Sequence, residues 1–170
     1  MTKSHPVRTL SAVLLALAFC AAAAVAQSDS QKAFATLKTL PGTWVGDTPK
    51  GPVQVNFKVT GAGSAVMSEI TSAMHDHEDM ISMFHMDGNR LLLTHYCAIG
   101  NQPRMQAETS PDGKTITFTF VDATNLATPD AGHMQQMVLT LLDENHHTEK
   151  WTFVDHGKEN VALFDLHRKS

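Results

Sequence analysis

The run Val53-Gln54-Val55-Asn56-Phe57-Lys58-Val59 alternates apolar and polar residues without a break. A period of two places the four apolar side chains on one face of an extended strand and the three polar ones on the other. Residues 115–121 repeat the pattern, with Ile116, Phe118 and Phe120 set against Thr115, Thr117 and Thr119. Turn signals divide the rest of the chain into similar lengths. Gly61-Ala62-Gly63 separates the first run from another at 65–72. Segments 80–86 and 90–97 flank Asp87-Gly88-Asn89, a hairpin signal because the turn requires positive φ. Segments 104–108 and 115–121 flank Ser110-Pro111-Asp112-Gly113-Lys114, and 134–142 and 148–154 flank Asp143-Glu144-Asn145-His146-His147. A last hairpin turns at Asp155-His156-Gly157-Lys158 and runs out to His167.

With 43–47 as the first, these segments make about ten strands. Successive antiparallel strands with one apolar face must close or stack to hide it. The pattern therefore predicts an all-β fold, an up-and-down antiparallel barrel of about ten strands, with a two-sheet sandwich as the alternative. One segment differs. Ser28-Asp29-Ser30 offers capping oxygens ahead of 31–38, where Phe34, Leu37 and Lys38 fall at helical spacing, and Pro41-Gly42 ends it. This is a short N-terminal helix.

The chain has 170 residues, enough for one domain. Lys3 and Arg8 precede an apolar run over 10–25 that closes on Ala24-Val25-Ala26, a small-x-small cleavage pattern. The expectation is a signal peptide over 1–26 and a single barrel domain over 27–170, periplasmic or secreted. An uncleaved anchor is the alternative, but the run is short for a membrane span. Acylation at Cys20 is opposed by the bulky Phe19 before it. Without the leader, eleven bases face seventeen acids, a net charge of −6. That balance argues against nucleic acid and anionic membranes as partners and for a soluble monomer. Cys97 then has no partner for an intramolecular disulfide and reads as a buried small hydrophobe. No cofactor is implied.

Gly42-Thr43-Trp44 opens the first strand and Arg168 ends the last. This pairing resembles the calycin group, the lipocalins and fatty-acid-binding proteins and their bacterial relatives. The resemblance implies that Trp44 plugs the closed end of the barrel and that Arg168 packs over its ring, both in structural roles. The stretch from Asp87 through Leu91-Leu92-Leu93-Thr94-His95-Tyr96-Cys97 into Gly100-Asn101-Gln102-Pro103-Arg104-Met105 also resembles a group of secreted bacterial barrel proteins of unknown function. That second likeness implies a fold and no activity.

Candidate chemistry centres on His95. In 90–97, Leu91, Leu93, His95 and Cys97 share one face, and Leu92, Thr94 and Tyr96 the other, with leucine on both. If the first face points inward, His95 lies in an apolar barrel and needs a polar partner. Asn101, Gln102 and Arg104 follow in what reads as a loop. Together with His95 they form the expected polar end of a pocket for a small, mostly apolar ligand, with the Arg104 fork on a polar or anionic head. The same side chains would serve equally to pin the loop to the barrel. Two other functions compete with the carrier. One is an enzyme using His95 as acid–base in the same cavity. The other is a copper or zinc binder built on His75, His77 and the methionines of 74–86, although two histidines in a turn lack a fixed third ligand. His133, His146, His147, His156 and His167 read as surface residues in or near turns, and Trp151 and Phe153 as barrel interior.

Overall fold

A computed structural model describes residues 27–48, 50–72 and 79–169. The expected leader, Cys20, His75 and His77 lie outside the described residues. The described residues are all-β apart from a short α-helix and one 3-10 turn at Gly61–Gly63. Helix α1 (Asp29–Leu37) precedes ten strands: β1 (Gly42–Thr48), β2 (Gly51–Thr60), β3 (Ala65–Ser72), β4 (Asp79–Asp87), β5 (Arg90–Tyr96), β6 (Gln102–Thr109), β7 (Thr115–Thr124), β8 (His133–Asp143), β9 (His146–Asp155) and β10 (Lys158–Arg168). Each strand pairs antiparallel with the next, and β1 pairs with β10, so the sheet closes into an up-and-down barrel. The sandwich is excluded.

Local chemistry explains the elements. Ser28 caps α1 by accepting from the Gln31 N–H, while the Gln31 side chain accepts from the Ser28 N–H, a reciprocal box that starts the helix two residues earlier than its apolar stripe suggests. Ala33, Phe34 and Leu37 are its buried face, and it packs against β4, β5 and β6. In the strands, alternation sends Val53, Val55 and Phe57 inward from β2, Ile116 and Phe118 from β7, and Leu91 and Leu93 from β5. This settles which face of β5 is interior.

Closure is made where β1 meets β10, with Trp44 opposite Arg168 and Val45 opposite His167. The Trp44 ring is fully buried, and its Nε1–H donates to the Leu40 carbonyl at 2.9 Å. The Arg168 guanidinium lies over that ring at 4.3 Å and donates to the carbonyls of Pro41 and Thr39. A cation over an indole at a partly exposed site contributes about 0.5–1 kcal/mol. Two glycines make the approach possible. Gly42 has φ +124°, and a Cβ there would sit 3.1 Å from the guanidinium. A Cβ on Gly46 would occupy the space of the Asp165 carbonyl. Gly46→Ala is therefore expected to force β1 away from β10 and cost about 3 kcal/mol, the upper end of overpacking effects. Urea denaturation checks this; a cost within about 0.5 kcal/mol, the range of ordinary surface substitutions, would show that closure does not depend on the close approach.

Candidate functional site

Each strand of the closed barrel donates its inward set to one interior, and that interior is not wholly apolar. Ser68, Ser82, His95, His147 and Glu149 are buried on inward-facing positions, among Trp44, Phe57, Phe84, Phe118, Met137 and Trp151. The register explains the grouping. Ser68 on β3 pairs with Ser82 on β4, which pairs with His95 on β5, so three polar residues form one cross-strand row. On the opposite wall, His147, Glu149 and Trp151 follow one another at period two along β9.

The two walls meet. The Ser82 hydroxyl lies 2.9 Å from His95 Nδ1, and the His95 ring lies 4.8 Å from the Trp151 ring. Trp151 Nε1–H donates to one Glu149 oxygen at 3.0 Å, and the other faces His147 Nε2 at 3.4 Å. His147 in turn meets the Trp44 ring edge-on at 4.3 Å. A polar seam thus crosses the interior from the Ser82–His95 pair through Trp151 and Glu149 to the buried Trp44 ring. Two of its atoms, Ser68 Oγ and His147 Nδ1, are buried without a hydrogen-bond partner among the described residues. Each such atom costs about 1–3 kcal/mol unless something satisfies it. Among the described residues, no lysine or arginine is buried, so the seam holds a carboxyl and imidazoles but no fixed cation.

The sequence placed His95, Asn101, Gln102 and Arg104 together, and the structure separates them. His95 is buried in the seam. Asn101 is buried nearer the rim, where its amide donates to the Gly132 carbonyl at 2.7 Å. Gln102 donates to the Gly100 carbonyl and accepts from the Thr124 hydroxyl. These bonds tie the 97–101 connection to the end of β7 and to the 125–132 loop. Gln102 belongs to β6 rather than to a loop, and Arg104, read both as a loop residue and as the start of the 104–108 strand, lies in β6 as well. Met105 and Ala107 point inward, so alternation turns Arg104 outward, where its fork closes on Asp122 at 2.5 Å. That pairing lowers the Asp122 pKa. The guanidinium does not meet His95.

Two histidines read as surface residues are interior or near it. The turn after β8 uses only Glu144 and Asn145, so His146 and His147 begin β9 and His147 points to the core. His133 is buried at the start of β8, with Nδ1 on the Ala131 carbonyl, Nε2 on Gln135 and its ring against Phe120 at 4.4 Å. Extending the Trp151 period backwards along Glu149 and His147 is the signal that identifies the seam from sequence. Phe153, expected inside, is half-buried and packs under Gly132, where a Cβ would fall 2.7 Å from its ring. Cys97 is partly buried, and burial raises its thiol pKa, which makes it a poor nucleophile at neutral pH.

The 125–132 loop is held from outside by His156. This residue takes a left-handed φ of +46° in the β9–β10 turn; its N–H donates to the Asp130 carbonyl and its Nδ1 lies 2.9 Å from Asp130 Oδ2. Comparison with protein-family models and with curated proteins finds no match. The class of molecule is thus defined by its architecture, a closed ten-stranded barrel with a polar seam through its interior.

Two outcomes are expected. Glu149→Ala leaves the Trp151 N–H and His147 without their carboxyl partner and should destabilise the fold by about 3 kcal/mol, with a shift in tryptophan emission; urea titration followed by fluorescence measures both. Asp130 raises the His156 pKa through its hydrogen bond and charge. The pair's stabilisation is therefore present below the ordinary histidine range and is lost as pH rises through the elevated value. NMR titration should show His156 above ordinary histidines and Asp130→Asn lowering it toward them, with the Asp155 charge still acting.

Proposed function

We propose that this protein is an exported carrier that holds a small, mostly apolar molecule inside a calycin-like barrel, with the ligand's polar head on the buried seam. The observation that carries the reading is the pair of interior polar atoms, Ser68 Oγ and His147 Nδ1, that the described residues leave unsatisfied beside a carboxyl and two imidazoles. Cores built only for packing rarely keep such atoms. A ten-stranded barrel encloses a wider interior than an eight-stranded one, and barrels of eight strands already include binders of one small ligand. Phe57, Phe84, Phe118 and Met137 pack around the seam as buried core, so a hydrocarbon body would enter by displacing these flexible or apolar side chains.

The chemistry of the seam selects the head. With Arg104 engaged by Asp122 on the outer wall, the described residues offer no buried guanidinium to neutralise an anion. Glu149, His147 and the two serines favour a neutral group that both donates and accepts hydrogen bonds, such as a hydroxyl or amide. Export rests on the N-terminal sequence: the Lys3 and Arg8 charges, the apolar run and Ala24-Val25-Ala26. Among the described residues, no helix is long and apolar enough to cross a membrane.

The Ser82–His95 contact supports a second reading, in which the buried imidazole moves a proton on a bound molecule. Turnover following a single imidazole in a pH–rate profile would favour it, whereas saturable binding without turnover favours the carrier.

Native mass spectrometry of protein purified from its own host should show a retained small organic molecule. A neutral naphthylamine dye should also bind at least about ten times more tightly than its sulfonated analogue, a difference of about 1.4 kcal/mol. A bare polypeptide mass with no uptake of either dye would overturn the carrier reading.

A further inference from the structure

The outer wall at the end of β10 carries a second cluster, unconnected with the interior. His146 on β9 stands directly opposite His167 on β10 in the ladder, and Asp165 lies two residues before His167 on the same outward face. The backbone alone therefore brings two imidazoles and a carboxylate to one patch. Their orientation is convergent. His146 Nε2 lies 2.5 Å from Asp165 Oδ1, and His167 Nε2 approaches the same oxygen at 3.9 Å. The two rings stack at 4.0 Å with planes 21° apart. One ligand atom from each residue falls within 4.8 Å of the others.

We infer that His146, Asp165 and His167 form a surface binding site for a divalent transition-metal ion of the zinc and copper type. Metal–ligand distances of about 2.0–2.2 Å in a tetrahedral site place the ligand atoms about 3.3 Å apart. The 2.5 Å contact must open and the 3.9 Å contact must shorten, each by under about 1 Å, and the two imidazole nitrogens, within 4.8 Å of each other, must close by at most about 1.5 Å, which small torsional changes of the outward-facing side chains supply. The strands need not move. The Arg168 N–H donates to the Asn145 carbonyl and the Lys169 N–H to the Thr43 carbonyl, fixing the end of β10 on both sides. Two imidazoles and one carboxylate suit Zn2+ and Cu2+, not Mg2+ or Ca2+, which take oxygen ligands. Three protein ligands leave a coordination position for water or a ligand from another molecule. The Arg168 guanidinium, on the residue after His167, is held over the Trp44 ring.

Calorimetric titration of the purified protein with ZnCl2, and separately with MgCl2, tests the site. One Zn2+ per chain should bind at this cluster, with no response to Mg2+. His167→Ala and Asp165→Asn should each weaken Zn2+ binding by about 100-fold, since even outer-sphere partners of metal ligands are worth 10–100-fold. Both side chains are mostly exposed, so folding should survive, which circular dichroism checks. His156→Ala, on a different surface turn, should leave binding unchanged. Zn2+ should also raise the melting temperature of the wild type and not of His167→Ala, because the ion would link β9 to β10. No saturable Zn2+ binding, or binding equally strong in the His167→Ala and Asp165→Asn variants, would overturn the assignment.

Discussion

Closure of the sheet at β1 and β10 is the constraint on which the rest depends. Only two residue pairs define that register, Trp44 with Arg168 and Val45 with His167. Without it the molecule has two free strand edges and an apolar face open to water, a state that invites aggregation. Gly46 lets the two backbones approach, Trp44 is buried beside the junction, and Arg168 covers the indole while satisfying the carbonyls of Thr39 and Pro41. The same closure makes an inside. His147, Glu149 and Trp151 on β9 face Ser82 and His95 across that interior only because the ring is complete.

The interior then poses an energetic question. Burying a carboxyl, two imidazoles and two hydroxyls is unfavourable unless each finds a partner. The barrel meets part of this need. Trp151 donates to Glu149, and Ser82 meets His95. Among the described residues, Ser68 and His147 each retain an unsatisfied atom, in a core that could have been filled with leucine and valine. A stability argument alone gives no reason to keep them. A binding argument does, because hydrogen-bonding groups fixed in advance lose little entropy when a ligand arrives.

Much of the architecture was legible because alternation and turn chemistry agree along the chain. Val53 to Val59 and the Ile116, Phe118, Phe120 series needed only the period of a strand. The site was less legible, and the reason is local. Pro103 and the polar residues around it look like a loop, yet β6 begins at Gln102. Its ladder with β5 spans only Gln106 to Arg104, so the missing proline N–H breaks no bond on that side. Once that segment is a strand, Met105 fixes Arg104 on the outside. In the same way the polar run from Asp143 to His147 reads as a five-residue turn, and the structure turns in two. That difference moves His147 from the surface to the core and hides the seam. Turn length, not residue type, was the missing information.

Trp151 lies within the seam and Trp44 is buried beside the junction of β1 and β10, so the two tryptophans report on different parts of the interior. The most direct measurement is quenching of tryptophan fluorescence by a brominated long-chain alcohol, whose heavy atom acts only at contact. Saturable quenching in the wild type that disappears in Trp151→Phe would place the alcohol against the seam, as the account requires. Absence of quenching, or quenching that survives unchanged in Trp151→Phe, would contradict it.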